Sequence, residues 1–163
     1  MKTISLNIPV QIFPDLESME VADAHLLKAA YEATGDAYAP YSEFRVGVAL
    51  RLANGKILTG SNQENVSFPA GICAERVALS AASATFPGIA ISSLALTYVS
   101  ESGNSNRPIS PCGICRQTLS EYEQRFGQSI RLILGGISGE IYILDRATDL
   151  LPLAFSSQEL RPH

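Results

Sequence analysis

Cys73, Cys112 and Cys115 are the only cysteines in a chain of 163 residues. They lie in two short motifs, Gly71-Ile72-Cys73-Ala74-Glu75-Arg76 and Ser110-Pro111-Cys112-Gly113-Ile114-Cys115-Arg116-Gln117. An odd number of thiols cannot all be used in intramolecular disulfides, so a disulfide framework suits this chain poorly. Three chemistries remain. A catalytic zinc takes three protein ligands and keeps a fourth position open for water. A structural zinc needs a fourth protein ligand, and the only histidines, His25 and His163, lack finger-like spacing to any cysteine. Neither histidine is assigned a role. A dithiol redox site would use Cys112-Gly113-Ile114-Cys115, leaving Cys73 and Glu75 unexplained.

Glu75 follows Cys73 by two positions, and on a regular helix such residues point about 200° apart. A joint role therefore requires Cys73 at the cap or in the first turn, where the longer glutamate can bend toward the open side of a metal. Otherwise Glu75 is a solvated acid in the first turn, where the helix dipole favours it. Three thiolates on one Zn²⁺ leave a net charge of about −1, which weakens the metal's effect on a bound water. A nearby guanidinium offsets that charge, and Arg76 and Arg116 are the candidates.

Both motifs are expected at helix starts. The stretch 72–86 is rich in alanine and ends at Pro87-Gly88, a stop signal, and 112–126 is closed by Gly127. A thiolate at such a start faces unpaired N–H groups and the positive end of the dipole, so its pKa falls. Upstream, residues 21–36 place Leu27, Ala30, Tyr31 and Thr34 on one helical stripe. Residues 44–52 carry large apolar side chains at every even position, and Asn54-Gly55 turns the chain back into 56–59, giving a β-hairpin. Strands are expected again at 91–99, 130–134 and 140–144. Helices interleaved with buried strands imply a three-layer α/β/α sandwich on a mixed five-stranded sheet.

The whole chain limits the function classes. At 17.5 kDa it fits one domain, expected over 21–163, preceded by an N-terminal extension, 1–20, of unknown role. A formal net charge of −4 lacks the cationic surface that displaces counterions from nucleic acid. No apolar run reaches the roughly 18 residues of a membrane span, and the N-terminus lacks the apolar core of a signal peptide. The expectation is a soluble cytoplasmic protein with neither nucleic acid nor membrane as partner.

The segments Ala39-Pro40-Tyr41-Ser42-Glu43-Phe44-Arg45-Val46-Gly47, Asn62-Gln63-Glu64-Asn65, Cys73-Ala74-Glu75-Arg76, Pro111-Cys112-Gly113-Ile114-Cys115-Arg116-Gln117 and Leu150-Leu151-Pro152 resemble, in order and spacing, the small homotetrameric cytidine deaminases. The resemblance runs from about residue 37 to residue 155. It implies a zinc-dependent hydrolase, one Zn²⁺ per chain, converting cytidine or deoxycytidine to the uridine form with loss of ammonia. It implies Cys73, Cys112 and Cys115 as zinc ligands and Glu75 as the proton shuttle. Asn62 and Glu64 stand where the family holds the ribose, Phe44 where an aromatic packs beside the pyrimidine, and Ala74 where the backbone meets the base. Arg76 would compensate the thiolate charge, and Phe155 stands where an aromatic from a neighbouring subunit closes the pocket of a homotetramer. Gln63 replaces a usual small β-branched residue and Phe68 a usual tyrosine. The alternatives are a deaminase of another aminopyrimidine nucleoside and, from a different class, a non-enzymatic zinc-stabilised interaction module.

Overall fold

The computed structural model describes residues 1–101, 103–156 and Leu160. His163 lies outside them. The elements in chain order are β1 (Gln11–Phe13), α1 (Val21–Ala33), β2 (Phe44–Leu52), β3 (Ile57–Ser61), α2 (Ala74–Thr85), β4 (Ile91–Ser100), α3 (Gly113–Phe126), β5 (Arg131–Leu134) and β6 (Ile141–Leu144), with short 3-10 turns at Thr34–Asp36, Phe68–Ala70 and Ala147–Leu150. The strands form one sheet in the order β1-β6-β5-β4-β2-β3, so it has six strands where five were expected. The additional strand is β1, which pairs antiparallel with β6 through Gln11–Ile143, Ile12–Tyr142 and Phe13–Ile141. Three residues at a sheet edge are too short for alternation to announce them.

The alternation in β2 sorts the two faces of the sheet. Val48, Leu50 and Leu52 join Leu94, Leu96, Leu132 and Leu134 in a core covered by Ala74, Ala78 and Leu79 of α2 and Leu119 of α3. The opposite face presents Ala49, Ala95, Ile133 and Ile143 to Leu26, Leu27 and Ala30 of α1. One helix on one face and two on the other give the α/β/α sandwich. The stripe on α1 is Asp23, Leu26, Leu27, Ala30 and Ala33. Tyr31, expected on that stripe, is half-exposed, because small residues at Gly47 and Ala49 draw Ala30 against the sheet and turn position 31 aside. Buried Asp23 anchors the start of α1 to the sheet, pairing with Arg131 at 3.1 Å and Arg51 at 3.6 Å.

Strand directions decide where helices begin. β2 is antiparallel to both β3 and β4, so those two strands run the same way, and β4 and β5 are parallel. The helices that follow β3 and β4, α2 and α3, therefore start at the same end of the sheet and lie on the same face. Tyr122 of α3 ties the two together: its hydroxyl donates to the Leu79 carbonyl at 2.8 Å and lies 2.6 Å from the Ser83 hydroxyl. Glycine sets the depth at which α2 seats. A Cβ on Gly60 of β3 would lie 2.7 Å from the Ala78 nitrogen and 2.8 Å from the Ala74 carbonyl oxygen, both backbone atoms of α2. Gly60→Ala should accordingly destabilise the fold by about 1–3 kcal/mol in denaturant titrations. Gly35→Ala, where a Cβ meets nothing within 4 Å, should stay within about 0.5 kcal/mol of the parent. Equal midpoints for the two variants would contradict this packing.

Candidate active site

The common origin of α2 and α3 brings two distant motifs together. Cys73 and Cys112 are the N-cap residues of the two helices, both in extended conformation, and Cys115 sits one turn into α3, fully buried. The Cys73 and Cys112 sulfurs are 3.8 Å apart and those of Cys112 and Cys115 3.5 Å apart, and all three lie within 4.8 Å of one another. Neither cap residue accepts a side-chain hydrogen bond from its helix. The first-turn N–H groups are thus left with the positive ends of two dipoles beside the sulfurs. Among the described residues, no other group of three His, Cys, Asp or Glu side chains gathers in this way.

The electrostatics follow from that crowding. The Cys73 thiol is lowered to about 6, first by a hydrogen bond from Cys115, and then, against the opposing effect of burial, by Cys112 and the positive charge of Arg76. Cys115 is pushed upward, chiefly because its sulfur serves the Cys73 thiolate and then because it is buried. The proton-poor sulfur of Cys73 is thus stabilised by the proton that Cys115 holds. A divalent cation would take the place of thiol protons and offset most of the thiolate charge, and three soft sulfur donors at this spacing suit zinc. Arg116 is engaged elsewhere: its guanidinium donates to the Pro111 carbonyl at 2.8 Å and to the Leu150 carbonyl at 3.1 Å, pinning the Cys112 loop to the Ala147–Leu150 turn.

Glu75 is only 4% exposed. Its carboxyl is raised above the ordinary range by burial, reinforced by the negative charge of Cys73. A buried acid with raised proton affinity beside a metal-ligating cluster has the properties of a proton carrier. Because Cys73 occupies the cap, Glu75 is not held to the opposed direction that a regular helix would impose, and both line one cavity.

That cavity, about 620 Å³, opens between the helix starts and the loops after β3 and before β2. Cys73, Ala74, Glu75 and Cys112 line it together with Phe44, Asn62 and Glu64. The ring of Phe44 stacks on that of Tyr98, centroids 4.9 Å apart, which holds it in place. The Asn62 amide extends the sheet ladder: its oxygen accepts from the Val46 N–H at 2.8 Å and its nitrogen donates to the Phe44 carbonyl at 2.9 Å. One amide proton and one lone pair remain for a ligand. The Glu64 carboxylate accepts the Tyr41 N–H at 2.9 Å, the Ser42 N–H at 3.3 Å and the Ser42 hydroxyl. These donors, the Ser42 hydroxyl foremost, hold its pKa below the usual value. Gln63 donates to the Asp36 carbonyl at 3.2 Å and to the Ser61 hydroxyl at 3.2 Å. Phe155 is not among the cavity residues. It is 59% exposed, and its carbonyl accepts from Gln117 at 3.1 Å.

Tyr41, Ser42, Ile109 and Ser110 also line the cavity, yet none was singled out from the sequence. Ser110 sits two residues before Cys112, so its place beside a metal-binding turn was the available signal. Ile109 carries no chemical signature, and its location depends on the course of the whole loop.

Comparison with known proteins agrees with the geometry. Residues 20–126 match the family model described as the cytidine and deoxycytidylate deaminase zinc-binding region. A cytidine deaminase of Halalkalibacterium halodurans is 33% identical over 135 residues, covering 83% of this chain and 95% of that protein. One of Mycobacterium tuberculosis is 37% identical over 143 residues, covering 87% and 96%. The crystal structure of a cytidine deaminase from Burkholderia pseudomallei superposes with a TM-score of 0.70 at 37% identity, over 84% of this chain and 100% of that one. A shared sequence across the metal-binding motifs and a shared architecture lead to one conclusion: the chain belongs to the cytidine and deoxycytidylate deaminase zinc-binding family.

Proposed function

We propose that this protein catalyses the zinc-dependent hydrolytic deamination of cytidine and deoxycytidine to uridine and deoxyuridine, releasing ammonia. The observation that carries the proposal is a cluster of three sulfurs, two of them lining a cavity with one buried carboxylic acid and with polar and aromatic side chains. Cys73, Cys112 and Cys115 hold the metal, and the thiolate charge is partly balanced by Arg76. A zinc ion in that site supplies Lewis-acid activation of water at neutral pH. Glu75 takes a proton from the attacking water at its carboxylate and passes it to N3 of the base, then takes the proton of the new C4 hydroxyl and passes it to the 4-amino nitrogen, which leaves as ammonia as the C4–N bond breaks and the C4 carbonyl forms. One group thus works as base and as acid, a task suited to a carboxyl whose burial raises its proton affinity.

The remaining side chains orient the nucleoside. Phe44, fixed against Tyr98, gives the pyrimidine a flat apolar face. The backbone of Ala74, the first residue of α2, meets the base edge through an amide that lacks an intrahelical partner. Asn62 and Glu64 hold the ribose hydroxyls, the amide donating and the carboxylate accepting. Positioning of this kind converts binding energy into alignment of C4 with the nucleophile.

Assembly as a homotetramer completes the proposal. Tyr41 and Phe68 at the cavity mouth are 51% and 76% exposed, and Val66 nearby is 80% exposed. The exposed Tyr41–Phe68 ring pair suits burial against a neighbouring subunit, which would contribute Phe155 to close the pocket. Three unpaired thiols suit a reducing compartment, hence the cytoplasm.

Purified protein should contain one zinc per chain by elemental analysis, and Cys112→Ala should lose both the metal and ammonia release from cytidine. Full activity in metal-free protein would refute the proposal. Glu75→Gln should keep its zinc while kcat falls by at least about 100-fold. In sedimentation experiments across a dilution series, specific activity should fall together with tetramer mass, and an equally active monomer would remove the role given to Phe155.

A further inference from the structure

The turn before β2 contains a device that the deamination chemistry does not itself require. The Glu43 N–H donates to the Ala39 carbonyl at 3.0 Å, closing a five-residue turn. Inside it, the successive N–H groups of Tyr41 and Ser42 both point to one oxygen of Glu64, Oε2, at 2.9 and 3.3 Å. The Ser42 hydroxyl donates to the other oxygen, Oε1. That hydroxyl also accepts the Phe44 N–H at 3.1 Å, which orients its proton toward the carboxylate. Glu43 itself has a φ of 54°, the left-handed region that a non-glycine residue enters at a cost. Backbone strain of this kind persists where surrounding contacts over-determine the conformation, and it concentrates at functional sites. Successive N–H groups converging on one anion form a nest.

We propose that Ser42, on the left-handed turn at Glu43, is a positioning residue for Glu64, fixing both carboxylate oxygens so that the remaining lone pair of Oε1 faces a sugar hydroxyl of the nucleoside. The inference rests on Glu64 as a sugar anchor. A free glutamate side chain rotates about three bonds and would lose that freedom on each binding event. Three donors from one turn remove the loss beforehand. The side chain of Ser42 hydrogen-bonds to Glu64 and the Phe44 N–H, so its effect belongs in substrate binding.

The test is a double-mutant cycle on the zinc-loaded enzyme with cytidine as substrate, together with the Kd of uridine, the product, by calorimetry. Ser42→Ala should raise KM and the uridine Kd about tenfold with kcat within about threefold and zinc content unchanged. Ser42→Thr, which keeps the hydroxyl, should restore both constants. Ser42→Ala combined with Glu64→Ala should be no worse than Glu64→Ala alone, because a positioning residue has nothing left to position. Glu43→Val, whose β-branched side chain disfavours positive φ, should reproduce the Ser42→Ala phenotype with the hydroxyl present. A parental KM in Ser42→Ala where Glu64→Ala is impaired would overturn the inference, as would multiplying effects in the double variant. A parental KM in Glu64→Ala would instead overturn the sugar-anchor reading beneath it.

Discussion

The pairing of β2 with both β3 and β4 in the antiparallel sense is the constraint on which the site depends. It forces β3 and β4 to run in one direction, so the helices that follow them begin at one edge of the sheet. Cys73 and Cys112, separated by 39 residues, thereby become neighbours. Reversing either strand would send one helix start to the opposite edge. The close seating of α2 over Gly60 then refines what topology allows, since a displacement of about an ångström is comparable to the tolerance of a tetrahedral metal site. The Tyr122 hydroxyl, bonded to α2, resists sliding between the helices.

Charge is balanced within the same small volume. Three thiolates, a buried carboxyl and two helix starts would be untenable if all the acids ionised without compensation. The surroundings meet this by shifting Cys73 downward and Cys115 and Glu75 upward from their ordinary ranges. In the proposed reaction a zinc ion would relieve the conflict between the sulfurs, and Glu75 would be the group that exchanges protons. The other carboxylate of the cavity, Glu64, is treated oppositely: three donors from one turn, the Ser42 hydroxyl foremost, lower its proton affinity. Two acids in one cavity thus have their proton affinities moved in opposite directions by their surroundings, and the roles proposed for them follow that division.

Much of this could be read from residue order. The helix ends at Pro87-Gly88 and Gly127, the Asn54-Gly55 hairpin and the cap positions of Cys73 and Cys112 are local properties that punctuating residues encode. Family motifs added the zinc site and the activity. The tertiary details were less accessible. β1 is too short to carry a periodic signal and exists because β6 offers an open edge. Tyr31 lies on an apolar stripe by spacing, but the small residues beneath α1 determine its rotation. Glu123 looks like a surface acid on α3, yet it is buried and accepts the N–H groups of Ile130, Ala147 and Thr148, tying the end of α3 to β5 and the turn near Arg116. Arg116 was a candidate partner for sulfur, whereas its donors meet two carbonyls brought close only by the fold.

The central claim is a metal held by three sulfurs with one position left for chemistry. Zinc K-edge X-ray absorption on the purified protein measures it directly. Three sulfur scatterers at about 2.3 Å and a single oxygen or nitrogen at about 2.0–2.2 Å are expected for this donor set. A shell of four sulfurs, or one with the scattering pattern of imidazole, would mean that the open position does not exist and would contradict the account.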